Sequence, residues 1–141
     1  MKIRNKIKKA ELIICSILLC MTNIICGSQP SDSLDISRIA QLTPQDAYKF
    51  IEDTSVSVLD VRTIEEYKIS HIKNAVVIPV QELEKRISEI DHLKNKKVLV
   101  YCRSGNRSKK ALQILQQNGF IQLYHLEKGI KLWMQEGFRV E

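Results

Sequence analysis

Four short apolar runs alternate with helix-forming segments through the later part of this chain, and that alternation limits the fold more than any other feature. Val56 to Val61, Ala75 to Ile78, Lys97 to Tyr101 and Gln122 to Leu126 read as strands. Thr43-Pro44-Gln45-Asp46 opens a helix, with Thr43 as N-cap, Pro44 in the first position and Ala47, Phe50 and Ile51 as its buried stripe. Ile64 to Ile69 reads as a short helix, and Glu82 to Ile90 as an amphipathic one carrying Leu83, Ile87 and Ile90 on one face. Ser108 to Asn118 reads as a helix burying Ala111, Leu112 and Leu115, closed by Gly119. Gly129 to Gln135 reads as a last helix with Ile130, Trp133 and Met134, stopped by Gly137. Strands joined through helices run parallel. The expectation is therefore an α/β domain with a central, mainly parallel sheet flanked by helices.

That domain is expected over residues 36–141, behind a polar linker at 29–35 and a leader at 1–28. The leader has the layout of an export signal, with Lys2, Arg4, Lys6, Lys8 and Lys9 ahead of an apolar stretch from Ala10 to Cys26. It has three possible fates. It is cleaved after Ser28, lipidated at Cys26 as in a bacterial lipoprotein, or kept as a membrane anchor. All three place the domain outside the cytoplasm, in the periplasm or its equivalent, because the positive end stays inside. Membrane contact is then expected only through this segment.

The leader also accounts for most of the net charge of +6. It holds five of the 22 basic residues and one of the 16 acidic residues, leaving 17 and 15 in the rest of the chain. No nucleic-acid partner follows from so balanced a domain.

Three of the four cysteines, Cys15, Cys20 and Cys26, belong to the leader, so Cys102 stands alone in the domain. An exported domain usually uses cysteines in pairs, and a single one suggests a reactive thiol. Cys102 ends a strand, where ligands bind in parallel sheets. The segment Arg103-Ser104-Gly105-Asn106-Arg107-Ser108 follows it directly. Its backbone N–H groups can curl into an anion nest, with Gly105 permitting the turn. A helix N-terminus and the charges of Arg103, Arg107, Lys109 and Lys110 lie close by. Each of these favours thiolate over thiol and would hold an anionic substrate. Arg107 either binds that anion or shapes the loop by pairing with an acid such as Glu66 or Asp60. Ser108 either bonds within the loop or caps the helix. Asp60 and Arg62 read as a structural pair near the site.

The Cys102–Ser108 segment resembles the active loop of the rhodanese (thiosulfate sulfurtransferase) family, with cysteine first, glycine fourth and arginine sixth. Three further stretches carry the same resemblance in the same order. They are Leu59-Asp60-Val61-Arg62 with Glu65-Glu66-Tyr67, then His71-Ile72 through Ala75 with Ile78-Pro79, then Gly129…Trp133…Gly137-Phe138. With its leader, the chain looks like the small exported members. Ser70, Asn74 and Lys128 depart from the family pattern, which commonly has glycine at these places.

The resemblance implies a rhodanese-like single domain that moves sulfane sulfur from thiosulfate or a similar donor to a thiophilic acceptor through a Cys102 persulfide. The donor would be a small anion such as thiosulfate or polysulfide, and the acceptor a thiol, cyanide or a protein. Cys102 would be catalytic, and Arg103, Ser104, Gly105, Asn106 and Arg107 would bind substrate. Asp60, Arg62 and Ser108 would support them. Neither a metal nor another cofactor is implied, and His71, His92 and His125 lack ligand spacing. Two other functions compete. A non-catalytic rhodanese-like binding module commonly lacks the cysteine. A cysteine phosphatase or arsenate reductase needs Cys-x5-Arg around a tetrahedral oxyanion, whereas the spacing here is Cys-x4-Arg.

Overall fold

The computed structural model describes residues 39–141, so the leader and linker at 1–35 lie outside the described residues. The chain runs β1 (Ala40–Leu42), α1 (Pro44–Phe50), β2 (Val56–Asp60), α2 (Ile64–Ile69), β3 (Ala75–Val77), a 3-10 helix (Ile87–Leu93), β4 (Lys97–Tyr101), α3 (Asn106–Gln117), β5 (Gln122–Leu126) and α4 (Gly129–Gln135). The five strands form one parallel sheet in the order β1-β5-β4-β2-β3.

Alternation along each strand builds two cores. Leu59 and Val61, Val98, Val100 and Cys102, and Leu123 point to one face, under Ala111, Leu112 and Leu115 of α3 and Ile90 and Leu93 of the 3-10 helix. Val58, Leu99, Tyr101 and Leu126 point to the other, against Ala47 of α1 and Ile130 and Trp133 of α4. Each such aliphatic side chain taken from water contributes about 1.5–3 kcal/mol, which is why both faces must be covered.

The topology also fixes where a ligand goes. From β2 the chain crosses to β3 on one side of the sheet, and from β4 it crosses to β5 on the other. The two connections diverge beyond the C-terminal ends of β4 and β2 and leave a crevice there. Cys102 follows β4 and Arg62 lies just past β2, so both stand at that crevice.

One strand and the setting of Met134 lie outside the sequence expectations, and two expectations need correction. β1 has no strand signature, because three half-exposed residues paired only to β5 present no readable alternation. Residues 82–90 do not form one α-helix. Turns lead into a 3-10 helix, whose three-residue period sets Ile90 and Leu93 together against the core. α3 starts at Asn106 instead of Ser108, with Gly105 at φ 101° as its N-cap. Met134 is exposed, since Ile130 and Trp133 already fill the face that α4 turns to the sheet.

The departures at Asn74 and Lys128 prove local. Asn74 has φ 60° and Lys128 φ 54°, both left-handed, where a glycine carries no Cβ penalty. Asparagine tolerates this conformation better than lysine does. Lys128→Gly is expected to raise stability by about 0.5 kcal/mol, relief of strain outweighing the added freedom of the unfolded chain. Urea denaturation checks this, and a loss of stability would show that the turn carries no strain.

Candidate active site

Cys102 opens a loop only four residues long after β4, because α3 starts at Asn106. Its side chain is 1% exposed. The backbone N–H of Gly105 donates to Sγ at 3.1 Å, and the hydroxyl of Ser108 lies 3.4 Å from it. Burial alone would push the thiol up. The Ser108 hydroxyl and the backbone N–H groups of Ser108, Ser104 and Gly105 outweigh it and hold Cys102 below the ordinary thiol value. The loop amides leading into α3 thus act directly on the sulfur, and the site is an anion cradle with a nucleophile at its base.

The loop is braced from behind by α4. Ile130 N–H donates to the Cys102 carbonyl at 2.9 Å, and Lys131 N–H to the Arg103 carbonyl at 3.1 Å. Gly129, at φ 64°, passes so close to these two carbonyls that it has no room for a side chain.

The remaining loop residues divide by exposure. Arg103, Ser104 and Asn106 face solvent, and Gly105 is buried. Arg107 turns sideways and donates to both carboxylate oxygens of Glu66, at 2.5 and 2.7 Å. The open choice for Arg107 is therefore occupied by loop shaping in this structure. Glu66 serves two elements, since it also completes a capping box with Thr63 at the start of α2. The Arg107 guanidinium is the first cause that lowers the Glu66 carboxyl to about 2. Ser108 is not a helix cap: it lies inside the first turn of α3 and bonds to Gly105 O, Cys102 and His125.

Asp60 and Arg62 are buried at the end of β2 and pair with each other. Arg62 Nε and Nη2 meet the Asp60 carboxylate at 3.0 and 2.6 Å, and Nη2 also donates to Ser70 O at 2.7 Å. The guanidinium sits 5.5 Å from the Tyr101 ring centre. Burial, then the Asp60 charge, push the Tyr101 phenol far above its ordinary range. None of these bonds reaches Cys102, so the pair fixes the backbone beside the crevice. Asp60→Asn keeps the shape but leaves the 4%-exposed Arg62 without a counter-charge. The expected cost is about 3 kcal/mol, seen as a lowered midpoint in urea or heat. An unchanged midpoint would mean that water, not Asp60, compensates the arginine.

Sequence reasoning missed His125 and Gln41. His125 is 2% exposed. It sits beside Val100 of β4 and Gln41 of β1 in the sheet register, with its ring between Ser108 and Gln41. The available signal was alternation: with Leu123 inward on the α3 side, His125 must share that face.

The architecture has counterparts among known proteins. A rhodanese-related protein of Thermoplasma volcanium superposes with a TM-score of 0.65 at 33% identity, over 72% of this chain and 97% of that one. A Bacillus subtilis protein, YrkF, whose name describes a sulfur carrier, is 38% identical over 60% of this chain and 45% of its own length. A tRNA uridine(34) hydroxylase of Cytophaga hutchinsonii is 40% identical over 64% of this chain and 30% of its own length. The chain thus spans less than half the length of these two curated relatives. The family model for the rhodanese-like domain matches residues 43–136, from the N-cap of α1 to the end of α4. A parallel sheet, a thiol cradled by loop amides and this match carry one conclusion: the chain belongs to the rhodanese-like domain family.

Proposed function

We propose that this protein is a sulfurtransferase of the thiosulfate type, moving sulfane sulfur from an anionic donor to a thiophilic acceptor through a persulfide on Cys102. The observation that carries the reading is the Cys102 sulfur, held by the Gly105 amide and Ser108 and shifted toward thiolate. The thiolate attacks the outer sulfur of thiosulfate. A new S–S bond forms to Cys102, the old S–S bond breaks, and sulfite leaves with its electron pair. The terminal sulfur of the persulfide carries the negative charge and takes the place of the donor in the amide cradle. A thiol or cyanide then attacks that sulfur and Cys102 departs as thiolate, giving ping-pong kinetics.

Ser104, Gly105 and Asn106 contribute the cradle. Arg103, exposed at its lip, attracts the donor. Arg107, clamped by Glu66, sets the loop shape and adds its charge at longer range. The loop length favours sulfur over phosphate: with four residues between cysteine and arginine, the cradle suits a sulfur atom better than a tetrahedral phosphoryl group. The basic and apolar pattern of the leader supports action outside the cytoplasm, on donors such as thiosulfate or polysulfide.

The test is mass spectrometry of the full chain after exposure to thiosulfate or polysulfide. One sulfur atom is expected on Cys102, lost again when cyanide is added. No adduct with any donor would leave a binding module, and steady hydrolysis of p-nitrophenyl phosphate would reinstate the phosphatase reading.

A further inference from the structure

His125 has no part in the sulfur chemistry just described, yet it is wired to the nucleophile. Its Nδ1 lies 2.6 Å from Oε1 of Gln41, and its Nε2 lies 2.7 Å from Oγ of Ser108. The same Oγ lies 3.4 Å from Sγ of Cys102 and 2.9 Å from the Gly105 carbonyl. The Ser108 hydroxyl has one proton and faces three acceptors, so they compete for it.

The competition can be followed through both states of the cysteine. Gln41 Oε1 accepts from Nδ1, so Nδ1 carries a proton. In the neutral ring Nε2 is then an acceptor and takes the hydroxyl proton of Ser108, while the Ser108 oxygen accepts from the Cys102 thiol. Once Cys102 is a thiolate it accepts from the Gly105 N–H, and the Ser108 hydroxyl is the side-chain donor placed to turn toward it as well. Nε2 must then bear a proton to keep its bond to Ser108. Ionised sulfur and protonated Nε2 belong to the same state.

We infer that Cys102, Ser108, His125 and Gln41 form a proton relay, in which His125 acts as the positioning residue that takes up the thiol proton and keeps Cys102 ionised. The inference rests on the sulfur-transfer reading for its purpose but not for its geometry. The S–H bond breaks and an N–H bond forms at Nε2. Ser108 gives its own proton to His125 and receives that of Cys102, so its hydroxyl is regenerated and nothing is oxidised or reduced. Gln41 Oε1 holds the second N–H of the ring throughout.

The surroundings decide when the ring charges. Burial first, then the Lys109 ammonium on α3, oppose a proton on His125, while the Gly105 backbone and Glu127 beyond β5 favour one. Lys128 lines the same cleft, and Gln41 on β1 is neutral. On the sulfur side, the Arg107 charge acts on Cys102 at longer range and is itself balanced by Glu66. Without the thiolate the ring stays neutral. With it, each charge favours the other, so the two titrations are coupled and reciprocal.

Two measurements on the full chain test the relay. The first follows iodoacetamide alkylation against pH on the peptide that carries Cys102, which separates it from the leader cysteines. In His125→Gln and in Ser108→Ala the midpoint is expected to rise by about one pH unit, with about tenfold slower alkylation below it. The second follows the His125 ring by NMR. In Cys102→Ala its midpoint is expected to fall by about the same amount, as reciprocity requires. An unshifted alkylation midpoint in folded His125→Gln, or a His125 titration indifferent to Cys102→Ala, overturns the relay. If His125→Gln does not fold, the second measurement decides alone, because it leaves the ring in place. Alkylation needs no sulfur donor. Coupled titrations without persulfide would therefore reject the sulfur-transfer reading and keep the relay, and persulfide without coupling would do the reverse.

Discussion

Cys102→Ala is expected to reduce cyanide-dependent cleavage of thiosulfate to background, a fall on the order of 10⁴ or more, in a protein that still folds. Cys102 is the one cysteine among the described residues, and among these no other thiol can accept the sulfur in its place. Loss is expected to be total because the sulfur atom itself carries the intermediate. Loop amides and flanking charges bind an anion, but none of them forms a covalent bond to sulfur. Stability should change little. The substitution removes one buried atom and leaves the Gly105 N–H without its partner, a cost of about 1 kcal/mol. Cys102→Ser sharpens the experiment. Its oxygen can accept the same Gly105 and Ser108 hydrogen bonds, yet it ionises far less readily and cannot form a persulfide. Both variants should be folded and inactive. Turnover in either one, measured as thiocyanate release, would remove Cys102 from the mechanism.

How much of this molecule was legible in the sequence depends on whether local pattern or tertiary pairing decides each element. β4 was readable because a strand covered on both faces must be apolar along its length, and Val98 to Tyr101 is buried throughout, while β2 and β5 carry apolar residues at most of their positions. α1 was readable from its first residues, since Thr43 caps with its hydroxyl; Thr63 caps α2 in the same way, a signal the sequence reading did not use. β1 was not readable, because Ala40–Leu42 becomes a strand only by pairing with β5. The stretch from Glu82 showed helix-like spacing, and Arg86 does bond to Glu82 and Glu89 at 2.9 and 2.8 Å, yet the backbone there tightens into turns and a 3-10 helix. In the site, Cys102 and its loop were readable because the chemistry is contiguous in sequence. The Arg107 choice was not, because Glu66 lies 41 residues away and only the fold brings it near. Alternation could mark His125 as inward, but its partnership with Gln41 was invisible for the same reason, since a strand neighbour becomes meaningful only once sheet order is known.

A single methyl group at position 129 is expected to impair the loop without touching the thiol, by a different route. A Cβ there would sit on the Cys102 carbonyl oxygen and 2.7 Å from the Arg103 carbonyl carbon, distances that backbone atoms cannot relieve by rotating away. It would also hold a residue with a side chain at φ 64°. Escape requires α4 and the loop to separate, which breaks the Ile130 and Lys131 hydrogen bonds to those two carbonyls. Overpacking, left-handed strain and two lost bonds together make Gly129→Ala cost about 3 kcal/mol or more. Any movement of the loop takes Sγ out of line with the Gly105 amide, and a displacement near 1 Å is worth about 100-fold in rate. Gly137→Ala is the control. Its φ is 82°, but no atom lies within 4 Å of an added Cβ, so it bears the backbone strain alone, about 1 kcal/mol. Melting and thiosulfate cleavage measured on both variants separate the two effects. If Gly129→Ala melted and turned over like Gly137→Ala, contact between α4 and the loop would not be what holds Cys102 in place.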